Sequence, residues 1–249
     1  MDFALKSDIG KLRQLNEDYY GCYFQENNNL SIFVLGDGMG GHNAGEVASK
    51  ITVESILSSI SEFANIKNKR ITEKIIKELS QEAITKANDS VLNLARHNPD
   101  MEGMGTTVVM AILWGNKACI AHVGDSRAYM VSNKEITQLT QDHSYIEELI
   151  KKGSITREQA QTHPDRNMIN RAIGVEEVVV VDTKIVKVEE SDAIILCSDG
   201  LTNLINEEEI LNIFLKGKSS EDICEELVKE ANRRGGHDNI TAITIIKTT

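Results

Sequence analysis

The sequence has little of what marks several large classes of protein. Its 249 residues include only 2 prolines, and aromatic residues make up 4%. The cysteines Cys22, Cys119, Cys197 and Cys224 form no C-x-x-C pair, which favours a reduced, cytoplasmic protein over a disulfide-stabilised one. No apolar run approaches the roughly 18 residues of a membrane span. Residues 1–6 lack the apolar core of a signal peptide, so none is expected.

The sequence also lacks a basic tract. Its 27 basic and 38 acidic side chains give a formal net charge of -11, whereas binding to a nucleic acid backbone requires a basic face. The charge therefore argues against nucleic acid as a partner. An acidic protein can still bind phosphate when cations neutralise its carboxylates.

Apolar periodicity predicts antiparallel strands covered by two groups of helices. Most predicted strands are joined by short turns, which argues against a regular alternation of parallel strands and helices. The expected helices span residues 44–60, 72–96, 206–215 and 220–233. The expected strands include residues 106–114, 117–123, 178–188, 193–197 and 240–246, and a hairpin turn is expected at 27–29. No linker or internal repeat divides the chain, so residues 1–249 are predicted to form one domain.

Acidic residues stand at the ends of several predicted strands. Asp37 and Gly38 follow a run of four apolar residues, and similar corners occur at Asp18, Asp125, Asp199 and Asp238. An isolated Asp-Gly pair usually marks a turn, but five acidic corners in one chain favour a shared site. Carboxylates brought close together could not all stay ionised without cations between them.

The types of side chain predict the kind of metal. Oxygen ligands without His or Cys favour Mg²⁺ or Mn²⁺ over zinc. Two such ions roughly 3.5–4 Å apart can activate water and hold a phosphoryl oxygen. Arg13 lies in the same predicted loop as Glu17 and Asp18, where its guanidinium could bind a phosphate through two hydrogen bonds. The alternative for Arg13 is an ordinary surface arginine.

Six motifs then occur in the order found in one family. They are RQLNED at 13–18, GDGMGGH at 36–42, GMGTT at 103–107, VGDSRAY at 123–129, CSDGL at 197–201 and HDNIT at 237–241. Over practically its whole length the chain resembles the bacterial branch of the metal-dependent type-2C Ser/Thr protein phosphatases. This resemblance implies an α+β fold in which two antiparallel sheets pack face to face between helices. It also places a variable flap, defined here as residues 141–172, beside the active site.

The resemblance implies a metal centre with two tightly bound Mn²⁺ or Mg²⁺ ions and a third, weaker ion. The implied ligands are Glu17, Asp37, the Gly38 carbonyl, Asp125, Asp199 and Asp238. Asp37 would bridge the two tight ions, Asp199 and Asp238 would bind the first, and Glu17 would bind the second. Asp125 would share the third ion with Asp199.

The catalytic residues implied by the resemblance are Arg13, Asp18 and His42. Water activated at the metals would attack phosphorus directly, with Asp18 holding that water and Arg13 binding the substrate phosphate. Animal members carry a histidine directly after the Asp-Gly pair, where this chain has Met39. His42 is therefore the candidate general acid, and a structural or substrate-contacting role is its alternative.

The implied substrates are proteins phosphorylated on serine or threonine. The enzyme is expected to be a monomer that opposes a cognate Ser/Thr kinase. Outside the motifs, His122 is expected to be packed within a strand. His143 and His163 fall in the flap, where contact with solvent is expected.

The residues argue against three other functions. The Gly36-x-Gly38-x-x-Gly41 spacing also suits a dinucleotide-binding turn, but no second parallel strand follows the helix after it. A cysteine-dependent phosphatase needs Cys-x5-Arg, and no cysteine has arginine at that offset. A non-catalytic relative would be expected to lose ligand carboxylates, and Asp37, Asp199 and Asp238 are all present.

Overall fold

The computed structural model describes residues 1–24, 30–39, 44–66, 70–160 and 162–248. Within these ranges the backbone forms two antiparallel β-sheets with helices on their outer faces. The predicted turn at residues 27–29 lies outside the described residues. Over the described ranges, we find no helix that is both long and apolar enough to cross a membrane.

The first sheet brings together strands from distant parts of the chain. Its spatial order is β1 (Asp2–Asp8), β11 (Ile240–Ile246), β10 (Ala193–Cys197), β7 (Arg127–Ser132) and β8 (Glu135–Gln138). Asn133 and Lys134 both have positive φ, which makes a tight turn between β7 and β8.

The second sheet carries the strand that ends at the Asp37-Gly38 pair. Its spatial order is β2 (Asp18–Tyr23), β3 (Ser31–Met39), β5 (Val108–Trp114), β6 (Lys117–Val123) and β9 (Asp182–Lys187). The two-residue strand β4 (Gly105–Thr106) pairs with the end of β3.

The helices fall into two groups, as predicted. Their bounds are α1 (Gly45–Ala64), α2 (Glu73–His97), α3 (Tyr145–Lys151), α4 (Arg157–Ala160), α5 (Asp199–Thr202), α6 (Glu207–Lys216) and α7 (Ser220–Arg233), with a 3-10 turn at Pro99–Met101. Helices α1 and α2 cover the second sheet, and α5–α7 cover the first. Asn206 and Glu209 form a capping box at the start of α6.

The hydrophobic core has three layers because the central strands are buried on both faces. On β3, Ile32 and Val34 pack against α1 and α2, whereas Phe33 and Leu35 face the first sheet. Successive side chains of a strand point to opposite faces, so the apolar run before Asp37 supplies two layers at once. The predicted sandwich of two sheets between helices is confirmed.

One predicted strand is wrong at its start. The expected strand over residues 178–188 begins only at Asp182. Its partner β6 ends at Val123, and Gly124 turns the chain away with φ of +106°. Among the described residues, positions 178–181 therefore have no neighbouring strand with which to form ladder hydrogen bonds.

Candidate metal centre

Five acidic corners meet where the same edges of the two sheets come together. Asp18 begins β2 and lies directly opposite Asp37 on β3. Asp125 follows β6, Asp199 follows β10, and Asp238 precedes β11. The charges of the other four carboxylates all act on Asp37 and raise its pKa. These five side chains, called the acidic cluster below, are brought together as their positions at strand ends predicted.

A chain of hydroxyl groups fixes one oxygen of Asp18. The Thr241 and Ser198 hydroxyls donate hydrogen bonds to Asp18 Oδ2, at 2.6 Å and 2.9 Å. The Ser7 hydroxyl lies 2.7 Å from that of Thr241 and accepts a hydrogen bond from the Asn16 amide at 2.8 Å. The buried Asp18 Oδ1 has no hydrogen-bond partner among the described residues. The carboxylate is thus held by one oxygen, and the other remains available.

The backbone around Asp37 is held equally closely. The Thr106 hydroxyl and the Thr107 N–H both donate to the Asp37 carbonyl oxygen at 2.9 Å. A Cβ atom at Gly38 would collide with the Gly45 carbonyl oxygen and lie 2.6 Å from that of Glu17. Glycine is therefore required at position 38, because the end of β3 packs directly against two other backbone segments.

The loop that carries Arg13 and Glu17 is tied to β11 by one amide side chain. Asn239 accepts a hydrogen bond from the Glu17 N–H at 2.8 Å and donates to the carbonyl oxygens of Ile9 and Leu15 at 3.0 Å each. The Arg13 guanidinium donates to Asp238 Oδ2 at 2.8 Å, and that hydrogen bond raises the pKa of Arg13. Arg13 is about half exposed. It therefore lies at the open side of the acidic cluster.

Burial disfavours the ionised form of four members of the acidic cluster, Asp18, Asp37, Asp125 and Asp199. Desolvation raises the pKa of Asp18 to about 7 and that of Asp125 to about 8, with repulsion from Asp199 acting in the same direction. Desolvation and then the neighbouring carboxylates raise the pKa of Asp37 well above its ordinary value. Burial and then the charge of Asp238 raise the pKa of Asp199 as well. Divalent cations among these oxygens would remove the repulsion.

The acidic cluster fits hard divalent cations. It offers carboxylate oxygens alone, which suit Mg²⁺ and Mn²⁺, and the unpartnered Asp18 Oδ1 points to a missing positive or donor group. Glu17 also belongs here, because desolvation raises its pKa and the charges of Arg13 and Asp238 reach it. His42 lies outside the described residues, so its role stays a prediction.

Sequence reasoning did not single out the residues that hold Asp18 and the Arg13 loop in place. Ser7, Ser198 and Thr241 hold Asp18, and Asn239 holds the Arg13 loop. Ser198, Asn239 and Thr241 lie within the quoted motifs, which was the only available signal for them. No sequence pattern marked Ser7.

A second group of residues with metal-binding side chains lies at the base of the flap. His122, His143 and Asp182 present ligand atoms within 4.8 Å of one another. The two imidazole rings are stacked with centroids 4.6 Å apart and planes 16° apart, so their in-plane lone pairs do not converge on one point. His122 Nε2 lies 2.8 Å from the Gln141 carbonyl oxygen, and His143 Nδ1 accepts the Gly124 N–H at 3.1 Å.

These contacts assign the second group to anchoring the flap. His143 Nε2 lies 3.2 Å from Asp182, and the Arg171 guanidinium lies 3.2 Å from both. The prediction that His143 contacts solvent is wrong, because its side chain is buried between β6, β9 and the flap. His122 is buried as predicted, and His163 is partly buried.

Two facing sheets with carboxylates gathered at one edge are the architecture that the resemblance implied for a type-2C phosphatase. A family model described as Protein phosphatase 2C matches residues 11–240. The chain belongs to this family, and the predicted family is confirmed.

The relatives agree over nearly their full length. The chain is 38% identical to the Serine/threonine phosphatase stp of Listeria welshimeri, over 98% of this chain and 95% of that protein. Serine/threonine phosphatase Stp1 from Staphylococcus aureus is 35% identical with a TM-score of 0.91, covering 100% of this chain and 96% of that one. The catalytic domain of serine threonine protein phosphatase PstP, solved in complex with 2 manganese ions, is 31% identical with a TM-score of 0.82. That match covers 99% of this chain and 98% of the PstP chain.

Proposed function

We propose that the chain hydrolyses phosphoserine and phosphothreonine in proteins, using two Mn²⁺ or Mg²⁺ ions held by the acidic cluster. The observation that carries this proposal is the pairing of buried Asp18 with Asp37, in which one Asp18 oxygen has no hydrogen-bond partner among the described residues. The two manganese ions of the PstP structure and the names of the relatives support the same reaction.

The ligands we propose are those that the family resemblance implies, and the positions of the carboxylates support them. Asp37, at the centre of the acidic cluster, would bridge the two ions, with the Gly38 carbonyl beside it. Asp199 and Asp238 would complete the first ion and Glu17 the second. A third, weaker ion would be held by Asp125 and Asp199. These two carboxylates are close enough for the charge of Asp199 to raise the pKa of Asp125.

The ions would supply Lewis acidity toward a phosphoryl oxygen and a lowered pKa for water. The residues of the chain do the rest. Arg13, at the open side of the acidic cluster, binds the phosphate and sets its orientation. Asp18, fixed through Oδ2, uses its free Oδ1 to orient the attacking water. The departing Ser or Thr oxygen needs a proton, for which we retain His42 as the candidate donor.

The proposal extends to the whole chain and to its partners. We take residues 1–249 as one catalytic domain with residues 141–172 as its flap, acting as a monomer on proteins phosphorylated by a cognate Ser/Thr kinase. All four cysteines are free thiols, which supports a reduced compartment such as the cytoplasm.

The test is hydrolysis of a phosphothreonine peptide by the metal-stripped protein, with and without added Mn²⁺, beside Asp37→Asn. We expect turnover that returns with Mn²⁺ in the wild type and not in the variant. Absence of turnover in the Mn²⁺-loaded wild type would overturn the proposal. Turnover that is insensitive to metal or to Asp37→Asn would overturn the assigned centre.

A further inference from the structure

Exposed apolar side chains are concentrated in two segments of the chain. Of the eleven large hydrophobic side chains that are exposed among the described residues, eight lie in two segments. They are Ile9, Leu12 and Leu15 in the Arg13 loop, and Tyr145, Met168, Val175, Val178 and Val180 in and after the flap. Scattered exposed apolar residues are ordinary, whereas a contiguous group marks a binding surface.

The valines line a groove at the end of β3. Val175, Val178 and Val180 form a cavity of about 240 Å³ together with Met39 and Ala172. This volume is below that of a site for a drug-sized ligand and suits one or two amino-acid side chains. Val178 is 77% exposed, so the groove is open to solvent.

A glycine makes the floor of this groove possible. Gly105 pairs with Met39 across β3 and β4. A Cβ atom at Gly105 would lie 2.9 Å from Met39 Cε and 3.2 Å from Val175 Cγ2. The side chains of Met39 and Val175 therefore meet over a residue that has no side chain.

The groove is continuous with the acidic cluster. Met39 lies two residues beyond Asp37 on β3, so their Cα atoms are about 7 Å apart and their side chains leave the strand on the same face. A peptide that placed its phosphorylated residue at Asp37 and ran along β3 toward Met39 would reach the groove within two or three residues.

The valine wall is held in place by α2. The buried Asn88 side chain accepts the Gly174 N–H at 2.8 Å and donates to the Glu176 carbonyl oxygen at 2.9 Å. Arg96 pairs with Glu177 at 2.6 Å. These contacts bracket Val175, so the wall is fixed without a ligand and binding there costs little ordering of the protein.

We propose that this groove binds an apolar side chain of the phosphoprotein substrate, two or three residues from the phosphorylated serine or threonine. This inference rests on the proposed function and adds a sequence preference to it. The occupant is a substrate segment because the groove adjoins the catalytic strand and holds only one or two side chains.

The experiment measures Mn²⁺-dependent kinetics on phosphothreonine peptides in which leucine or aspartate occupies each position within three residues of the phosphothreonine. We expect leucine at one or two positions to lower KM by about ten-fold relative to aspartate, with kcat changed little. Val178→Asp and Val180→Asp should each abolish this preference. Turnover of p-nitrophenyl phosphate, which has no flanking residues, should stay unchanged in both variants.

The matched control is Leu215→Asp, at an exposed apolar position on α6 outside the groove, which should keep the leucine preference. Equal KM values for all peptides, or a preference that survives both valine substitutions, would overturn the inference while the activity stands. A dimer in light scattering that Val178→Asp dissociates, with peptide KM unchanged, would assign the groove to a second copy and also overturn it. Absence of Mn²⁺-dependent turnover with every substrate would overturn the proposed function itself.

Discussion

Replacing Asp37 with asparagine removes one charge from the centre of the acidic cluster and leaves a side chain of nearly the same shape. Asp18 lies directly opposite Asp37, so their Cβ atoms are about 5 Å apart. Two unit charges at about 5 Å repel by about 3 kcal/mol at an effective dielectric constant of about 20. The raised pKa values let the metal-free cluster keep a proton, which relieves part of this repulsion.

We therefore expect Asp37→Asn to abolish turnover and yet to stabilise the metal-free protein by about 1–3 kcal/mol. For a chain of this size, that gain corresponds to a rise in Tm of about 2–10 °C. Added Mn²⁺ should reverse the order, because the wild type gains the free energy of metal binding and the variant gains less. Thermal unfolding in EDTA and in Mn²⁺ measures both effects.

The matched control is Asp89→Asn, which changes the net charge equally at an exposed position on α2. It should leave Tm almost unchanged in both conditions. If metal-free Asp37→Asn unfolded at or below the wild-type temperature, the carboxylates would not repel one another as their burial requires. The account of the acidic cluster would then fail.

Three further changes test the supporting contacts. Thr241→Val deletes the 2.6 Å hydrogen bond to Asp18, and urea titration in Mn²⁺ should show a loss of about 1–3 kcal/mol. Arg127→Met removes the guanidinium that holds Asp142 at 2.6–3.0 Å, and guanidinium chloride titration should show a loss of about 3 kcal/mol. Desolvation, and then the charge of His122, lower the pKa of His143 to about 4, so the folded state keeps this ring neutral while the unfolded state protonates it. Its contribution to stability is full above about pH 6.5 and falls by up to about 3 kcal/mol toward pH 4, a slope that His143→Asn should remove in urea titrations across this range.

Each of these has a contrary outcome. Equal stability of Thr241→Val and wild type would mean that Asp18 does not depend on the hydroxyl chain. An unchanged midpoint for Arg127→Met would mean that the Asp142 carboxylate finds another partner. A wild-type stability that rose as the pH fell, relative to His143→Asn, would contradict the burial of that ring.

The sequence predicted long elements better than short ones, for a physical reason. Helix α7 and strand β11 have the predicted bounds, because unbroken periodicity defines them. The strand predicted from residue 178 failed because pairing depends on a partner, and β6 turns away at Gly124. The valines there favour a strand, but Val178, Val179 and Val180 line the groove instead.

The acidic cluster was predictable because each carboxylate stands at the beginning or the end of an apolar strand. The groups that orient those carboxylates were not, since a serine such as Ser7 on β1 resembles any other strand hydroxyl until β11 lies beside it. Likewise, His143 stands in a polar segment, and only the approach of Gly124 and Asp182 explains its burial.

The pairing of β1 with β11 has a consequence for biosynthesis. Asp8 aligns with Ile240, so the first strand cannot complete its sheet until about 230 more residues have been translated. At about 5–20 residues per second, that delay lasts roughly 10–50 s. Throughout this time β1 carries an unpaired edge, and neither Asn239 nor Thr241 exists to close the Arg13 loop or hold Asp18. The nascent chain therefore lacks an assembled acidic cluster until β11 has been translated.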